Sequence, residues 1–380
     1  METLMNISNN IFQEQILENA TLFKGNNIDA LRVLPDNSID SVVTDPPYGI
    51  SYLNNTWDIQ VPTVEFWKEV FRVLKPGGHV LSFSSARTYH RMTVNIELAG
   101  FEIRDQIMWI YGQGMPKSQN VGKNVDKIQG NERTVVEVKK VYKLELHSDS
   151  KRTKVDYEVT KGESEWEGWG TGLKPAHEPI CVGRKPITAN TIAQNVLNHR
   201  TGAINISECM VASENGKDRH PSNVMFDESG MPSLIDQNPI AEKFFYISKP
   251  SVREKALGFT DGRNSHPTVK PVSLMAYLCK LVTPKNGVVL DPFMGSGTTG
   301  VSALCCGFNF IGMELGEDYY GISKTRISSF ELFLEFIVPK SSVLPKVASV
   351  KKPKKKKLQS IGVTVGNTGI WGNLKMVKVA

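Results

Sequence analysis

Cysteine is scarce and shows no pairing pattern in this chain. Five cysteines occur in 380 residues, at 181, 209, 279, 305 and 306, with no C-x-x-C pair and no zinc spacing. A disulfide scaffold and a zinc module are therefore excluded as readings, no metal site is expected, and the thiols are predicted to be reduced and buried in a cytoplasmic protein. Long apolar runs are also missing. No stretch approaches the ~18 residues of a membrane span, so no membrane association is expected. The first residues, Met1 to Asn6, lack the basic and apolar regions of a signal peptide. Acidic residues are absent from Pro339 to Ala380, where ten lysines stand. Taking those ten charges from the net of +6 leaves the body of the chain at −4. The basicity is thus an appendage, densest at Lys351–Lys357, and suits non-specific attraction to phosphates or a solvated tail.

What is present is an apolar content of 40%, enough for a sizeable core, in one large domain or one domain plus an insert. The N-terminal half alternates strands and helices. Leu22–Gly25 reads as a strand followed by a turn at Gly25-Asn26 and a helical stretch. Ile39–Thr44 is an apolar strand fit for burial on both faces. Val64–Leu74 has helical apolar spacing and stops at Lys75-Pro76-Gly77-Gly78. His79–Ser84 is a strand, Thr88–Ala99 a helix, and Ile103–Ile110 a strand. This alternation predicts an open, doubly wound α/β fold with a mostly parallel sheet.

Residues 112–240 break the rhythm. They are rich in Gly, Asn, Lys and Ser, and nothing in them is expected to continue the sheet. Arg133–Leu146 alternates like a surface hairpin paired with Lys154–Val159, and Trp166–Gly172 is a glycine-aromatic loop. His177, His199 and His220 are read as polar surface. A return runs through Ala241–Ser248. The α/β pattern then resumes, with a helix over Pro267–Val282, a strand over Gly287–Pro292, a helix over Gly297–Cys306, a strand over Phe308–Glu314 and a last helix over Glu317–Phe333. The division that follows is 1–111, an inserted region at 112–240, a second half at 241–337, and a Lys-rich tail at 338–380.

Two motifs carry chemistry. The first is Asp45-Pro46-Pro47-Tyr48, at the end of the buried strand. The prolines fix the backbone and remove two N–H donors. The strand end is left with acceptors, the Asp45 carboxylate and a proline carbonyl, beside the flat face of Tyr48. That set suits a planar ring whose exocyclic amine is gripped by its hydrogens. The second is Leu290-Asp291-Pro292-Phe293-Met294-Gly295-Ser296-Gly297-Thr298-Thr299-Gly300, a strand, a glycine loop and a helix start. No G-K-[ST] follows, which excludes a Walker A phosphate loop. A nicotinamide dinucleotide site is the rival reading, but there the strand normally runs straight into the first glycine, and here Asp291-Pro292-Phe293 intervenes. A carboxylate at that strand end suits an amine. Glu314, closing the next strand, is placed to hold two ribose hydroxyls. Amine, ribose and flat base together describe S-adenosylmethionine.

With these two motifs in this order, the chain resembles the β-type DNA amino-methyltransferases, the adenine-N6 and cytosine-N4 family, in its phage and prophage members. His266-Pro267-Thr268-Val269-Lys270-Pro271 resembles the segment that closes the cofactor pocket, and Ile311–Leu315 the ribose-binding strand. Trp169–Pro179 and Asn195–Asn205 look like segments seen in phage members. Gly25-Asn26 stands where the family often has Gly-Asp, and the stretch 131–165 matches nothing in the family.

The resemblance covers about residues 20–335. It implies a Rossmann-like methyltransferase fold with an inserted target-recognition region. Asp45, Pro46, Pro47 and Tyr48 would be catalytic. Asp291, Pro292, Phe293, Gly295, Ser296, Gly297, Thr298, Glu314, His266, Thr268 and Lys270 would hold S-adenosylmethionine. It further implies double-stranded DNA as partner, base flipping with Tyr48 stacked on the extruded ring, a cytoplasmic setting in a bacterial host, and room for a homodimer and a cognate restriction enzyme. An Asp at the head of the tetrad looks more like the adenine-N6 enzymes; Ser-Pro-Pro-Tyr is commoner among cytosine-N4 enzymes. RNA and protein-glutamine methyltransferases remain alternatives. Trp57 is expected to be a packing residue.

Overall fold

In the computed structural model, the residues described are 12–52, 55–112, 118–144, 152–211, 218–227, 245–247, 249–260 and 264–337. The chain divides into two units, Met1–Pro339 and Lys340–Ala380, and everything described belongs to the first. The Lys-rich tail and part of the expected return segment lie outside the described residues.

The chain opens with a hairpin, β1 (Phe12–Leu17) and β2 (Ala20–Gly25). Asn26 then caps the helix Asn27–Val33, its side chain accepting from the Ile28 N–H. An Asn at that turn does the capping that an Asp would do. β3 (Ile39–Thr44) is buried at all six positions, as its apolar run predicts. Thr63 caps the helix Val64–Val73, which buries Phe66, Trp67, Val70 and Val73 on one face. β4 (Leu74–Phe83) follows with no loop, so Lys75-Pro76-Gly77-Gly78 is inside the strand instead of before it. Pro76 is tolerated there because its carbonyl, not an N–H, is used: it accepts from Asn195 and Thr201. Next come the helix Tyr89–Leu98, β5 (Glu102–Ile110) and the helix Val121–Gln129. β6 (Thr134–Leu144) and β7 (Arg152–Lys161) form a separate two-stranded ribbon, as the alternation predicts.

β8 (His177–Arg184), the helix Ile192–His199, β9 (Val224–Phe226) and β10 (Phe245–Tyr246) follow. Then come the helices Val252–Ala256 and Val272–Val282, β11 (Val288–Asp291), the helix Thr298–Cys305, β12 (Asn309–Glu314) and the helix Glu317–Ser328. The expected start of the helix at Pro267 moves to Val272, because Pro271 is its N-cap. The last helix breaks at Ser329 and is followed by a 3-10 turn over Phe330–Phe333.

One ten-stranded sheet runs in the order β1-β2-β12-β11-β3-β4-β8-β5-β9-β10. The block β2-β12-β11-β3-β4 is parallel throughout. β8 is antiparallel to both β4 and β5 and separates them. The expectation that nothing in 112–240 continues the sheet is therefore corrected: β8 and β9 are sheet strands. β8 escapes a pattern reading because only Ile180-Cys181-Val182 is a continuous apolar run. Pro179 lies one place beyond the last pairing with β4, where its missing N–H is not needed.

Two cores sandwich the sheet. Val43, Leu81 and Val289 belong to one, with the helices Val272–Val282 and Thr298–Cys305. Their strand neighbours Val42, Val80 and Leu290 belong to the other, with the helices Asn27–Val33, Val64–Val73 and Tyr89–Leu98. That is the doubly wound arrangement. β3 leads toward β4 and β11 toward β12, in opposite directions across the sheet, so the crevice beyond the ends of β3 and β11 lies at the topological switch point.

Candidate active site

Both sequence motifs come to this crevice. Thr44, the last residue of β3, donates its hydroxyl to Asp291 Oδ1 at 2.7 Å, and Asp291 is the last residue of β11. The two strand ends are thereby tied side to side.

Asp45 follows Thr44 and remains partly exposed, with 19% of its side chain open. Pro46 behind it is buried and Pro47 half-buried. The turn that follows is held by Asp58, which is 1% exposed. Asp58 Oδ1 accepts from the Tyr48 N–H at 2.6 Å and the Gly49 N–H at 2.9 Å, and Oδ2 accepts from the Tyr52 N–H at 2.8 Å. Trp57, expected as a packing residue, is 41% exposed.

The Asp45 carboxylate is not a bare acceptor. The Tyr48 hydroxyl donates to its Oδ1 at 2.6 Å and the Lys270 ammonium to its Oδ2 at 2.5 Å. Both donors also reach Glu178 Oε2, at 3.1 Å from the hydroxyl and 3.2 Å from the ammonium. Lys270 and Tyr48 are themselves 3.2 Å apart. The result is a closed ring of two carboxylates, one cation and one phenol. Burial pushes the Tyr48 phenol well up, and both carboxylates push it further, so it stays protonated and donates. Burial pulls the Lys270 ammonium down, but Asp45 and Glu178 outweigh it and hold its pKa above the ordinary value. The sequence reading puts Lys270 beside the glycine loop. It stands instead with the acceptor motif, over the Phe83 ring at 4.7 Å.

The glycine loop is built against β12 and the helix Glu317–Ser328. The Pro292 carbonyl accepts from Asn27 Nδ2, and the half-buried Phe293 ring packs on Phe66 at 4.9 Å. Gly295 has φ +52 and its N–H donates to Glu314 Oε2 at 2.9 Å. Glu314 Oε1 accepts from the Gly316 N–H at 2.8 Å, and burial raises this carboxyl's pKa. Gly297 has φ +76, and a Cβ there would meet Ser323 at 2.9 Å. Ser296 and Thr298 are held from behind by Arg326, which is fully buried: its Nη1 donates to the Ser296 carbonyl at 2.7 Å and to the Thr298 hydroxyl at 3.0 Å. Burial draws the Arg326 guanidinium down to about 10, against the pull of Glu254.

His266 covers the loop. A side chain at Gly295 would meet its Nε2 at 2.9 Å, and its ring packs edge-on against Tyr319 at 4.5 Å. Its Nδ1 accepts from the Thr268 N–H at 3.3 Å, and burial lowers its pKa to about 4. The Asp291 carboxylate, expected to face an amine, already holds the Thr44 and Thr299 hydroxyls and the Phe293 N–H. Burial raises its pKa to about 6.

Sequence reasoning missed Asp58, Glu178 and Arg326. Glu178 carried a faint signal, lying in the His177-Glu178-Pro179 end of a segment that resembles phage members. Asp58 and Arg326 obey no spacing rule, since Asp58 holds backbone N–H groups of a turn and Arg326 a carbonyl and hydroxyls of the glycine loop, all brought near by the fold. The histidines 177, 199 and 220 take no part in the ring. Among the described residues no group of three or more His, Cys, Asp or Glu could hold a metal ion, and no helix is long and apolar enough to cross a membrane.

The glycine loop, with Glu314 accepting from the Gly295 N–H and the His266 ring over it, makes a cradle whose backbone groups and buried carboxyl are the donor and acceptor set that suits a nucleoside with hydroxyls. The sequence model of a DNA methylase family, the N6/N4 methylases, matches residues 39–325. The type II methyltransferase M.HindIII of Haemophilus influenzae is 26% identical over 351 residues, which is 80% of this chain and 94% of that protein. A putative methylase of Escherichia coli, YubD, is 43% identical over 70 residues, 18% of this chain and 31% of its own. Among solved structures, the cytosine-N4-specific PvuII DNA methyltransferase is similar with a TM-score of 0.48 at 16% identity, covering 84% of this chain and 94% of that one. The M1.HpyAVI–SAM complex is similar with a TM-score of 0.43 at 18% identity, covering 81% and 98%.

Proposed function

The chain belongs to the N6/N4 DNA methylase family, and from that premise we propose that it methylates the exocyclic N6 of adenine in double-stranded DNA, with S-adenosylmethionine as methyl donor. The observation that carries the reading is the 2.7 Å bond from Thr44 to Asp291, which sets the amine-gripping motif against the nucleoside cradle. When bound, S-adenosylmethionine supplies an electrophilic methyl group on a sulfonium. The residues that would hold it are the loop Asp291-Pro292-Phe293 and Gly295–Thr298, Glu314 under it, and His266 and Thr268 over it.

The chain's own part is to prepare the amine. The lone pair of an exocyclic amine is delocalised into its ring, so the nitrogen is a poor nucleophile. Asp45, partly open, accepts its hydrogens together with a carbonyl of the proline pair. This favours a pyramidal nitrogen and stabilises the positive charge that grows as the N–C bond forms and the S–C bond breaks. One N–H proton leaves afterwards, and the ring of Asp45, Tyr48, Lys270 and Glu178 is the neighbourhood that receives it. Tyr48 presents a flat face to a ring flipped out of the duplex. The choice of adenine rests on the Asp that heads the tetrad. Target reading is assigned to 112–240, less the sheet strands β8, which supplies Glu178, and β9.

The test is methylation of unmethylated genomic DNA with labelled S-adenosylmethionine, followed by nucleoside digestion and mass spectrometry. N6-methyladenine is expected. N4-methylcytosine would keep the mechanism and overturn the base. No modified DNA base with cofactor still bound would turn the assignment to RNA or protein.

A further inference from the structure

The ribbon β6–β7 has no place in the site above. Every residue from Thr134 to Val141 is exposed, and the neighbours on β7 are exposed or half-buried. Val136 and Val138 are each 56% exposed and Tyr157 is 53%. A two-stranded ribbon with both faces in water is marginal by itself, and apolar side chains held open on it are a surface for a partner.

Its root, in contrast, is fixed. Arg133, just before β6, donates to both Glu167 oxygens at 2.9 and 3.0 Å and to the Thr160 carbonyl at 2.9 Å, and it also pairs with Asp126. Gly162 is the residue that lets this clamp close, since a Cβ there would collide with Asp126 and with Arg133. The ribbon is therefore aimed, not loose. At about 3.3 Å per residue, strands of this length make an arm about 30 Å long.

We infer that this ribbon is an arm that lies in the major groove of the duplex. The inference rests on the DNA methyltransferase reading above. A major groove admits a two-stranded ribbon. The two strands carry six basic residues against three acidic ones, the sign that phosphates attract. The register sorts the side chains. One face opposes Lys140 to Asp156 and Val138 to Glu158, and is largely self-neutralised. The other opposes Val141 to Val155 and Lys139 to Tyr157, an apolar and aromatic strip whose cation, Lys139, is paired at the surface with Glu137 at 3.1 Å, and it is suited to base edges and thymine methyls. A second copy of the chain is the poorer occupant, because a two-fold pairing of β6 edges about their charged middle would bring Lys139 and Lys140 of one copy against Lys140 and Lys139 of the other.

The test uses the full chain. A triple variant, Lys139→Ala, Lys140→Ala and Lys154→Ala, is compared with the wild type for DNA binding across a salt series. S-adenosylmethionine binding serves as the control for folding. Expected is at least tenfold weaker DNA binding and a salt slope shallower by roughly 1 to 3, at about 0.9 for each phosphate that is no longer neutralised, with cofactor affinity unchanged. Tyr157→Ala is expected to keep the slope and reduce the preference for cognate over non-cognate duplex. Unchanged DNA affinity and slope in the triple variant overturn the arm. A change of oligomeric state with DNA binding intact also overturns it, in favour of a second copy. Wild-type protein that neither binds nor methylates DNA would sink the reading beneath, which is a different result from a wild type that works and variants that match it.

Discussion

Glu178 Oε2 lies 3.1 Å from the Tyr48 hydroxyl, although the two residues are 130 positions apart in sequence. β8 delivers this carboxylate from the stretch that breaks the α/β rhythm, by threading antiparallel between β4 and β5. Glu178 also faces Lys270, so it shares with Asp45 the work of holding that cation. Glu178→Gln keeps the shape and removes the charge. Removing a charge-assisted hydrogen bond of this kind costs about 1.5–3 kcal/mol, so kcat is expected to fall about 10- to 100-fold. Cofactor affinity, measured by calorimetry, is expected to stay as it was. Full turnover in this variant would show that the ring needs only one carboxylate.

Asp45→Ala is expected to abolish turnover and leave S-adenosylmethionine binding intact, because no hydrogen bond of the glycine loop runs through Asp45. The paired measurement is methyl transfer to DNA against calorimetric binding. Loss of both together would mean that Asp45 holds the crevice open and does not act on the amine.

Asp58 acts on the same turn from below. Its carboxylate is the acceptor for three N–H groups of the segment Tyr48–Tyr52. Asp58→Ala leaves those donors unpaired, at a cost of about 1–3 kcal/mol for each one that stays buried. Thermal unfolding should shift down by several degrees, and residual turnover should fall more than the fraction unfolded accounts for. Asp58→Asn, which keeps one acceptor oxygen, should recover part of both.

The fold was legible where one element carries one pattern. β3 is buried on both faces and reads as a strand from its β-branched residues, although Asp40 and Ser41 within it are polar. The helix Val64–Val73 reads from its spacing and its Thr63 cap. The Asp45–Tyr48 and Asp291–Thr298 motifs were legible because proline and glycine leave local signatures. β8 was not, since its burial comes from two flanking strands and not from its own hydrophobicity. Lys270 was legible as a member of the site, but its partner was not. Nothing in its neighbours says that Pro271 will end the segment with the ammonium turned toward Asp45. Arg326 reads as one more charge on a terminal helix, and only the packing of that helix under the loop puts it in the interior.

Asp291 gives the fold a pH dependence of opposite sign to ordinary acid unfolding. Its carboxyl is raised from 3.8 to about 6 by burial, with the Thr299 and Thr44 hydroxyls working against the rise. The folded state thus keeps the proton that the unfolded chain gives up first. The stabilisation is fully present below about pH 4 and is lost as pH rises through about 6, by about 3 kcal/mol across the window. Asp291→Asn cannot titrate. The difference in unfolding free energy between variant and wild type should therefore change by that order between pH 4 and pH 6, in the variant's favour, and be flat above pH 7. A difference that does not vary with pH would place the carboxyl's pKa near its ordinary value.

Arg326 offers the sharpest separation of support from chemistry. It touches neither motif's reacting side, yet its Nη1 holds the Ser296 carbonyl and the Thr298 hydroxyl, while its Nε and Nη2 have no hydrogen-bond partner. A buried guanidinium left half satisfied is costly, so the loop geometry it enforces must offset that cost. Arg326→Met fills the space without the charge. Removing a buried cation with unpaired donors is expected to leave stability within about 1–2 kcal/mol of wild type. The loop, freed of its anchor, should lose cofactor affinity about tenfold or more, with KM for S-adenosylmethionine rising and kcat at saturation little changed. Arg326→Lys, which keeps a charge but not the reach and planar geometry that put Nη1 between both oxygens, should fall between the two. A variant that loses kcat while KM holds would instead make Arg326 part of the electrostatics of transfer.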